Sequence, residues 1–112
     1  MLKNIIIIPI YNDWRSLNKL LFQLDNIFKS YEKIKHEILI LNDNSTEKVN
    51  IDKHNLSSIH KISIIKLNKN LGSQKAIAVG LNYLKKKAKE CFITIMDGDG
   101  EDDPLQIKNM LE

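Results

Sequence analysis

The chain has 112 residues, a net charge of +3 and 43% apolar residues, a composition typical of a folded globular protein. Its longest apolar run, Ile5 to Ile10, is too short to span a bilayer, and a single cysteine excludes an internal disulfide framework. We therefore expect one cytoplasmic domain over residues 1–112, without a transmembrane segment and without a nucleic-acid partner. The basic run from Leu84 to Glu90 reads as a solvated helix end, and attraction to the cytoplasmic face of a membrane stays open as an alternative.

Short apolar runs, mostly of β-branched residues, predict four strands along the chain. Because these runs do not alternate with polar residues, we expect strands that are buried on both faces of a parallel sheet. The predicted strands are Ile5–Ile10, Ile38–Leu41, Ile62–Leu67 and Phe92–Met96.

Helical patterns lie between and after the predicted strands. The first helix has Asn12 as its expected N-cap, and the second opens with Ser73 as N-cap after Gly72. The third should begin at Pro104 with Asp103 capping it, and we predict a short helix within residues 49–58. The apolar stripes are Trp14, Leu17, Leu21, Leu24 and Phe28 in the first helix, and Ile77, Leu81, Leu84 and Ala88 in the second.

The alternation of strands and helices predicts an α/β fold with three layers and a mostly parallel sheet. In such open sheets, ligands bind at the carboxyl ends of the strands, near the point where the strand order reverses. Three polar loops follow apolar runs in this sequence: "PIYND", "LNDNST" and "MDGDGEDDP". Their expected convergence at one edge of the sheet is the main functional signal.

The last of these loops concentrates negative charge in an otherwise basic chain. It holds five of the fourteen acidic residues, so the remaining nine acids face seventeen basic residues. Asp97 and Asp99 flank a glycine, and such a carboxylate pair suits Mg²⁺, which binds one or two carboxylates together with substrate phosphates. The alternative is a solvated acidic turn in which Asp102 and Asp103 lie at the positive end of the next helix. An EF-hand is excluded because Lys108 occupies the position of its final glutamate.

The other loops carry weaker signals that leave two readings open. Asp43 with its polar neighbours suits hydrogen bonding to a nucleobase or ribose, but such residues also form ordinary turns. Tyr11 suits stacking on a base or packing. Gly72 and Lys75 at the start of a helix suit a diphosphate, or else form a simple glycine turn.

Taken together, "IIIIPIYND", "EILILNDNSTE", "LNKNLGSQKAIAVGL" and "TIMDGDGEDDP" resemble the N-terminal half of family 2 glycosyltransferases with the GT-A fold. The likeness is nearest to polyprenyl-phosphate glycosyltransferases of the dolichol-phosphate mannose type. Four motifs in the family's order, over nearly the whole chain, carry it.

The resemblance implies a role for each matching residue. Pro9 and Tyr11 would flank the nucleobase, and Asp43 would accept its N–H. The phosphates would lie near Gly72 and Lys75. Asp97 and Asp99 would form the D-x-D pair that holds Mg²⁺ or Mn²⁺. Asp97 would also contact the nucleotide.

The same resemblance implies an inverting transferase that moves a sugar from a nucleotide-diphosphate sugar to an acceptor. The acceptor would be a polyprenyl phosphate or a glycan of a cell-surface polysaccharide.

Three positions depart from the family pattern: Asn42 replaces an acid, Asp13 replaces glutamate, and Asn44 replaces a glycine. Asn44 can still adopt a left-handed turn conformation. The family's catalytic base is expected beyond Glu112, so the sequence predicts a donor-binding half, a truncated product or one piece of a split protein.

Two other functions remain open on the sequence. The first is a nucleotide-sugar-binding fragment without turnover of its own. The second is a phosphatase of the haloacid-dehalogenase type, in which Asp97 would be the nucleophile and Asp99 the general acid. That motif normally opens its domain, which disfavours the second reading here.

Overall fold

A computed structural model describes residues 2–86, 91–98 and 103–111, without the side chains of residues 109 and 110. Several residues of the sequence predictions lie outside these ranges. They are Ala88, Asp99, Glu101 and Asp102.

Four parallel strands form one sheet in the order β3-β2-β1-β4, which confirms the predicted α/β fold. All four predicted strands are present, with ends that shift by at most three residues. The elements are β1 (Lys3–Ile10), α1 (Trp14–Phe28), β2 (Lys35–Asn42), β3 (Lys61–Lys66), α2 (Ser73–Lys85), β4 (Cys91–Ile95) and α3 (Leu105–Leu111).

The two central strands divide the core into two layers. Side chains alternate along a strand, so neighbouring isoleucines of β1 point to opposite faces. Ile6 and Ile8 pack with α1 and α3, whereas Ile5 and Ile7 pack with α2. The prediction of burial on both faces is confirmed for β1 and β2. It is wrong for β3 and β4, which are edge strands of the described sheet and expose several of their side chains.

Helix α1 buries the stripe that the sequence predicts. All five of its members are at most 4% exposed. The predicted N-cap is wrong by one residue, because Asp13 rather than Asn12 caps the helix. The Asp13 side chain accepts a hydrogen bond from the Ser16 amide at 3.3 Å, while Asn12 has a left-handed backbone with φ of 62°.

Helix α2 buries a face that matches the predicted one only in part. Its buried residues are Ala76, Gly80 and Leu84, whereas Leu81 is 39% exposed. Small residues at these positions let the helix approach the sheet closely. A β-carbon added at Gly80 would lie 2.8 Å from Leu41 Cδ1. Within the predicted stripe, the burial of Leu84 is confirmed and that of Leu81 is wrong, because the close approach to the sheet places Ala76 and Gly80 on the buried face.

Two further predictions need correction at the ends of elements. The N-cap of α2 is Gly72, not Ser73, and no side-chain hydrogen bond caps this helix. Helix α3 begins at Leu105 rather than Pro104, although Asp103 caps it as predicted, its Oδ1 accepting the Leu105 amide at 2.9 Å.

The helix predicted within residues 49–58 is absent from the structure. This segment runs irregularly over α1, and the buried carboxylate of Asp25 holds its end. Asp25 Oδ1 accepts the backbone amides of Ser57, Ser58 and Ile59 at 3.0, 2.7 and 3.0 Å. These backbone amides therefore donate to a side chain that is distant in the sequence. They do not need the carbonyl oxygens of a helix within the segment.

Candidate functional site

The order β3-β2-β1-β4 places a reversal of strand order between β1 and β4. Strands after β1 are added on one side up to β3, and β4 then returns to the other side. A cleft of about 300 Å³ lies at the carboxyl ends of the strands beside this reversal. The described residues that line it are Pro9, Ile10, Tyr11, Asp13, Asp43, Ser73, Asp97 and Gly98.

The end of β1 forms one wall of the cleft. Pro9 and Ile10 are buried in the strand, whereas Tyr11 leaves it and is 48% exposed. The backbone turns at Asn12 and enters α1 behind Asp13. The phenol ring of Tyr11 is thus available to a flat ligand on the open side of the cleft.

Asp43 joins the end of β2 to the loop before α2. Its side chain is 4% exposed and accepts the Leu71 amide at 2.7 Å and the Gly72 amide at 2.9 Å, one through each oxygen. Hydrogen bonds from backbone amides satisfy the buried carboxylate. A carboxylate oxygen has two lone pairs, so Asp43 can still accept a further donor from the cleft.

The turn after β2 accounts for two departures from the family pattern. Asn42 is buried, and its Oδ1 accepts the Ser45 amide at 2.9 Å. A neutral side chain therefore serves the turn at this position. Asn44 has φ of 56°, which confirms its predicted tolerance of the left-handed conformation that a glycine would supply.

Helix α2 points its first turn toward the cleft. Ser73 lines the cleft, and the helix lacks a side-chain cap, so its first amides carry the positive end of the helix dipole without a side-chain acceptor. Gly72 has φ of 86°, a backbone conformation that favours glycine. Lys75 is exposed in the first turn and is not among the described lining residues.

The end of β4 brings Asp97 and Gly98 against β1. Asp97 is half-buried, and Gly98 is buried. A β-carbon at Gly98 would lie 2.8 Å from Ile10 Cδ1 and 3.3 Å from the carbonyl oxygen of Pro9. A side chain at position 98 would therefore crowd β1, which favours the glycine between the two aspartates. Across residues 2–86, 91–98 and 103–111, no group of three His, Cys, Asp or Glu side chains has the arrangement of a metal site.

The charge of the cleft is negative. Its lining contains the carboxylates of Asp13, Asp43 and Asp97, and none of the lining residues that the structure describes is basic. An anionic ligand here needs positive charge from the helix dipole of α2, from a cation that binds with it, or from both.

Four residues named from the sequence meet at this cleft, namely Pro9, Tyr11, Asp43 and Asp97. Four further residues line the cleft without having been predicted as site residues, namely Ile10, Asp13, Ser73 and Gly98. In the sequence, Asp13 stands where the family pattern has glutamate, and Ser73 follows Gly72 at the start of the second helix. The signal that could have found them is their position, since the first turn after a parallel strand lies at the carboxyl edge of the sheet.

A parallel sheet with helices on both faces and a polar cleft at its strand-order reversal defines the class of α/β proteins that bind ligands at this edge. The chain belongs to one family within this class. It is a member of glycosyl transferase family 2, whose family model matches residues 5–112.

Several curated relatives are glycosyltransferases by name. The chain is 27% identical to the dolichol-phosphate mannosyltransferase of Pyrococcus furiosus over 96% of this chain and 28% of the relative. It is 29% identical to the undecaprenyl-phosphate 4-deoxy-4-formamido-L-arabinose transferase of Proteus mirabilis, over 95% and 32%. The dodecaprenyl-phosphate galacturonate synthase of Rhizobium johnstonii is 28% identical over 95% and 30%.

The chain thus spans less than a third of the length of these relatives. Within the part of the chain that the structure describes, no helix has the length and apolar character needed to cross a membrane.

Proposed function

We propose that this chain forms the donor-binding part of a glycosyltransferase and holds a nucleotide-diphosphate sugar in the cleft. The sugar passes with inversion to an acceptor, which is a polyprenyl phosphate or a glycan of a cell-surface polysaccharide. Family membership and the names of the relatives support the reaction class. The observation that carries the proposal is the convergence of Pro9, Tyr11, Asp43 and Asp97 on one cleft.

The nucleoside lies at the end of the cleft formed by β1 and β2. Tyr11 and Pro9 offer a flat apolar surface to the base, and the exposed ring of Tyr11 is available for stacking. Asp43 accepts an N–H of the base. The Leu71 and Gly72 amides hold this carboxylate in place, so it is oriented before the ligand arrives.

The diphosphate lies toward the start of α2. A helix N-terminus without a side-chain cap attracts anions, because free backbone amides and the helix dipole both favour negative charge. Ser73 adds a hydroxyl at this position. Gly72 lets the backbone approach closely, and Lys75 in the first turn contributes a positive charge near the phosphates.

A divalent cation, Mg²⁺ or Mn²⁺, fits the chemistry of the acidic side of the cleft. Asp97 lines the cleft and matches the first aspartate of the family's D-x-D pair, so we assign it to the ion, together with Asp99. When bound, such an ion neutralises negative charge on the departing nucleoside diphosphate. Asp97 then has the tasks of binding and orientation, and Gly98 keeps it against β1.

Calorimetry with UDP, GDP, CDP and ADP, each with and without Mg²⁺ or Mn²⁺, tests this proposal. We expect one nucleoside diphosphate to bind, and to bind more tightly with the metal, because the phosphates complete the coordination shell of the ion. Asp97→Asn and Asp99→Asn should remove the effect of the metal.

Asp103→Asn is the matched control in the same acidic run. Asp103 caps α3, and asparagine caps a helix about as well as aspartate, so the metal effect should persist. Failure of every nucleoside diphosphate to bind the wild-type chain would overturn the proposal. Loss of the metal effect in Asp103→Asn alone would move the metal site away from Asp97 and Asp99.

A further inference from the structure

Asn12 connects the two loops that carry the nucleoside end of the cleft. Its backbone amide donates to Ser45 Oγ at 2.9 Å, and its side-chain Nδ2 donates to Thr46 Oγ1 at 2.9 Å. Its Oδ1 accepts the Glu47 amide, also at 2.9 Å. Asn12 alone thus makes three hydrogen bonds to the segment after β2.

These bonds begin where the pairing of β1 with β2 ends. The register of the two strands runs up to Ile10 and Asn42, and the Asp43 amide donates to the Ile10 carbonyl oxygen at 2.9 Å. Tyr11 lies directly after this last bond, on the open side. Without a further connection, the turn that carries Tyr11 and the turn that follows Asp43 would be joined only at their bases.

Asparagine suits this position for two physical reasons. Its backbone has φ of 62°, a conformation that few residues other than glycine and asparagine adopt readily. Its amide also provides both a donor and an acceptor on a short side chain, and the structure uses each of them. Glycine would keep the conformation but lose both side-chain bonds.

We propose that Asn12 is a positioning residue that fixes the spacing between Tyr11 and Asp43 and so preorganises the nucleoside end of the cleft. This inference rests on the proposed function. Asn12 itself is not among the described residues that line the cleft. It acts through Tyr11 and Asp43, which do line it. A preorganised site binds more tightly because less freedom is lost on binding.

The first test compares two ligands in the Asn12→Gly variant. Calorimetry with Mg²⁺ measures the affinity for the nucleoside diphosphate that the wild type binds, and for inorganic pyrophosphate. We expect the affinity for the nucleoside diphosphate to fall by about tenfold, as for the loss of a preorganising pair of hydrogen bonds. The affinity for pyrophosphate should not change, because Asn12 bonds only to the loop after β2, on the side of the cleft that we assign to the nucleoside.

The control variant is Asn18→Ala, which removes a similar connection to the same loop. Asn18 Nδ2 donates to the Asn50 carbonyl oxygen and Asn18 Oδ1 accepts the Asp52 amide, each at 2.9 Å. None of these three residues lines the cleft. Asn18→Ala should therefore bind both ligands as the wild type does.

Thr46→Val provides a second variant that does not depend on folding of Asn12→Gly. Thr46 is exposed, and valine removes only the oxygen that accepts from Asn12. Thr46→Val should also lower the affinity for the nucleoside diphosphate, by a smaller factor than Asn12→Gly. In the Asn12→Gly background it should cause little further loss of affinity. Wild-type affinity in both variants, or equal losses for nucleoside diphosphate and pyrophosphate, would overturn the inference. If the wild type binds pyrophosphate but no nucleoside diphosphate, the proposed function itself fails.

Discussion

At the scale of single residues, the neutral ring of His36 is held in one tautomer at the amino end of the sheet. Its ring is 2% exposed and stacks on Phe28, with ring centroids 3.9 Å apart. Nε2 lies 2.9 Å from the Tyr31 carbonyl oxygen, which can only accept, so we assign the proton to Nε2. Nδ1 then accepts from Asn4 Nδ2 at 3.1 Å. The neutral ring therefore has both nitrogen atoms in hydrogen bonds.

We predict that His36 makes the protein less stable in mild acid. Burial lowers the pKa of His36 below the ordinary value of 6.5, and the hydrogen bond to Tyr31 opposes this only in part. The unfolded chain thus takes up a proton at a higher pH than the folded chain does. The contribution of neutral His36 to the free energy of unfolding is therefore complete above pH 6.5. It is lost as the pH falls through the lowered pKa.

Urea unfolding at a series of pH values measures this effect. Between about pH 7 and about pH 5, the free energy of unfolding should fall more steeply for the wild type than for His36→Gln, which cannot titrate. His54→Gln, at an exposed position of the β2–β3 connection, should keep the wild-type slope. Identical slopes for the wild type and His36→Gln would show that another group causes the acid sensitivity.

At the scale of elements, Asp25 attaches the β2–β3 connection to α1. It is 1% exposed and accepts the backbone amides of Ser57, Ser58 and Ile59. A segment without regular structure thereby obtains partners for its amides from a helix side chain. Residues Ile51, Leu56 and Ile59 of the same connection pack against the core, so this attachment also positions apolar contacts.

We predict that Asp25→Ala lowers the free energy of unfolding by about 2–3 kcal/mol, because it leaves three backbone donors without their acceptor. Asp25→Asn should cost less, because its remaining oxygen can occupy the place of Oδ1, which receives three of the four hydrogen bonds. Urea unfolding measures both changes, and hydrogen exchange should accelerate at residues 57–59.

Asp52→Ala is the control for this prediction, since Asp52 is exposed and accepts the His54 amide in the same connection. We expect it to change stability by less than about 0.5 kcal/mol. A loss in Asp25→Ala no larger than that in Asp52→Ala would mean that solvent replaces the carboxylate without cost.

At the scale of the whole molecule, the described sheet ends in a strand with apolar side chains in solvent. Strand β4 pairs only with β1 within the described residues, and Phe92, Ile93 and Ile95 are 50%, 39% and 44% exposed. An edge strand offers unpaired backbone groups, and apolar side chains on it favour association with another chain.

We predict that the 112-residue chain self-associates as its concentration rises, and that Phe92→Lys reduces this association because charge on an edge strand opposes pairing. Sedimentation velocity over a concentration series measures it. Phe22→Lys is the control, since Phe22 is 51% exposed but lies on helix α1 and not on a strand. An equal reduction by both variants would show that general surface apolarity, rather than the β4 edge, drives the association.

The sequence alone determined the elements whose local pattern and burial agree. The unbroken apolar runs of β1 and β2 predicted central strands, and the stripe from Trp14 to Phe28 predicted α1, because each pattern matches the period of its element. The polar ends of the strands predicted a site at one edge of the sheet, and Tyr11, Asp43 and Asp97 meet there.

Only the tertiary structure decided the features that depend on distant partners. The face that α2 buries follows from the close approach of Gly80 to Leu41, which an apolar count cannot detect. Asp25 accepts backbone amides at the end of the segment in which a helix was predicted. It lies more than thirty residues before these amides in the sequence. The three bonds of Asn12 likewise reach across the fold, because a single residue type does not specify which loop its amide will contact.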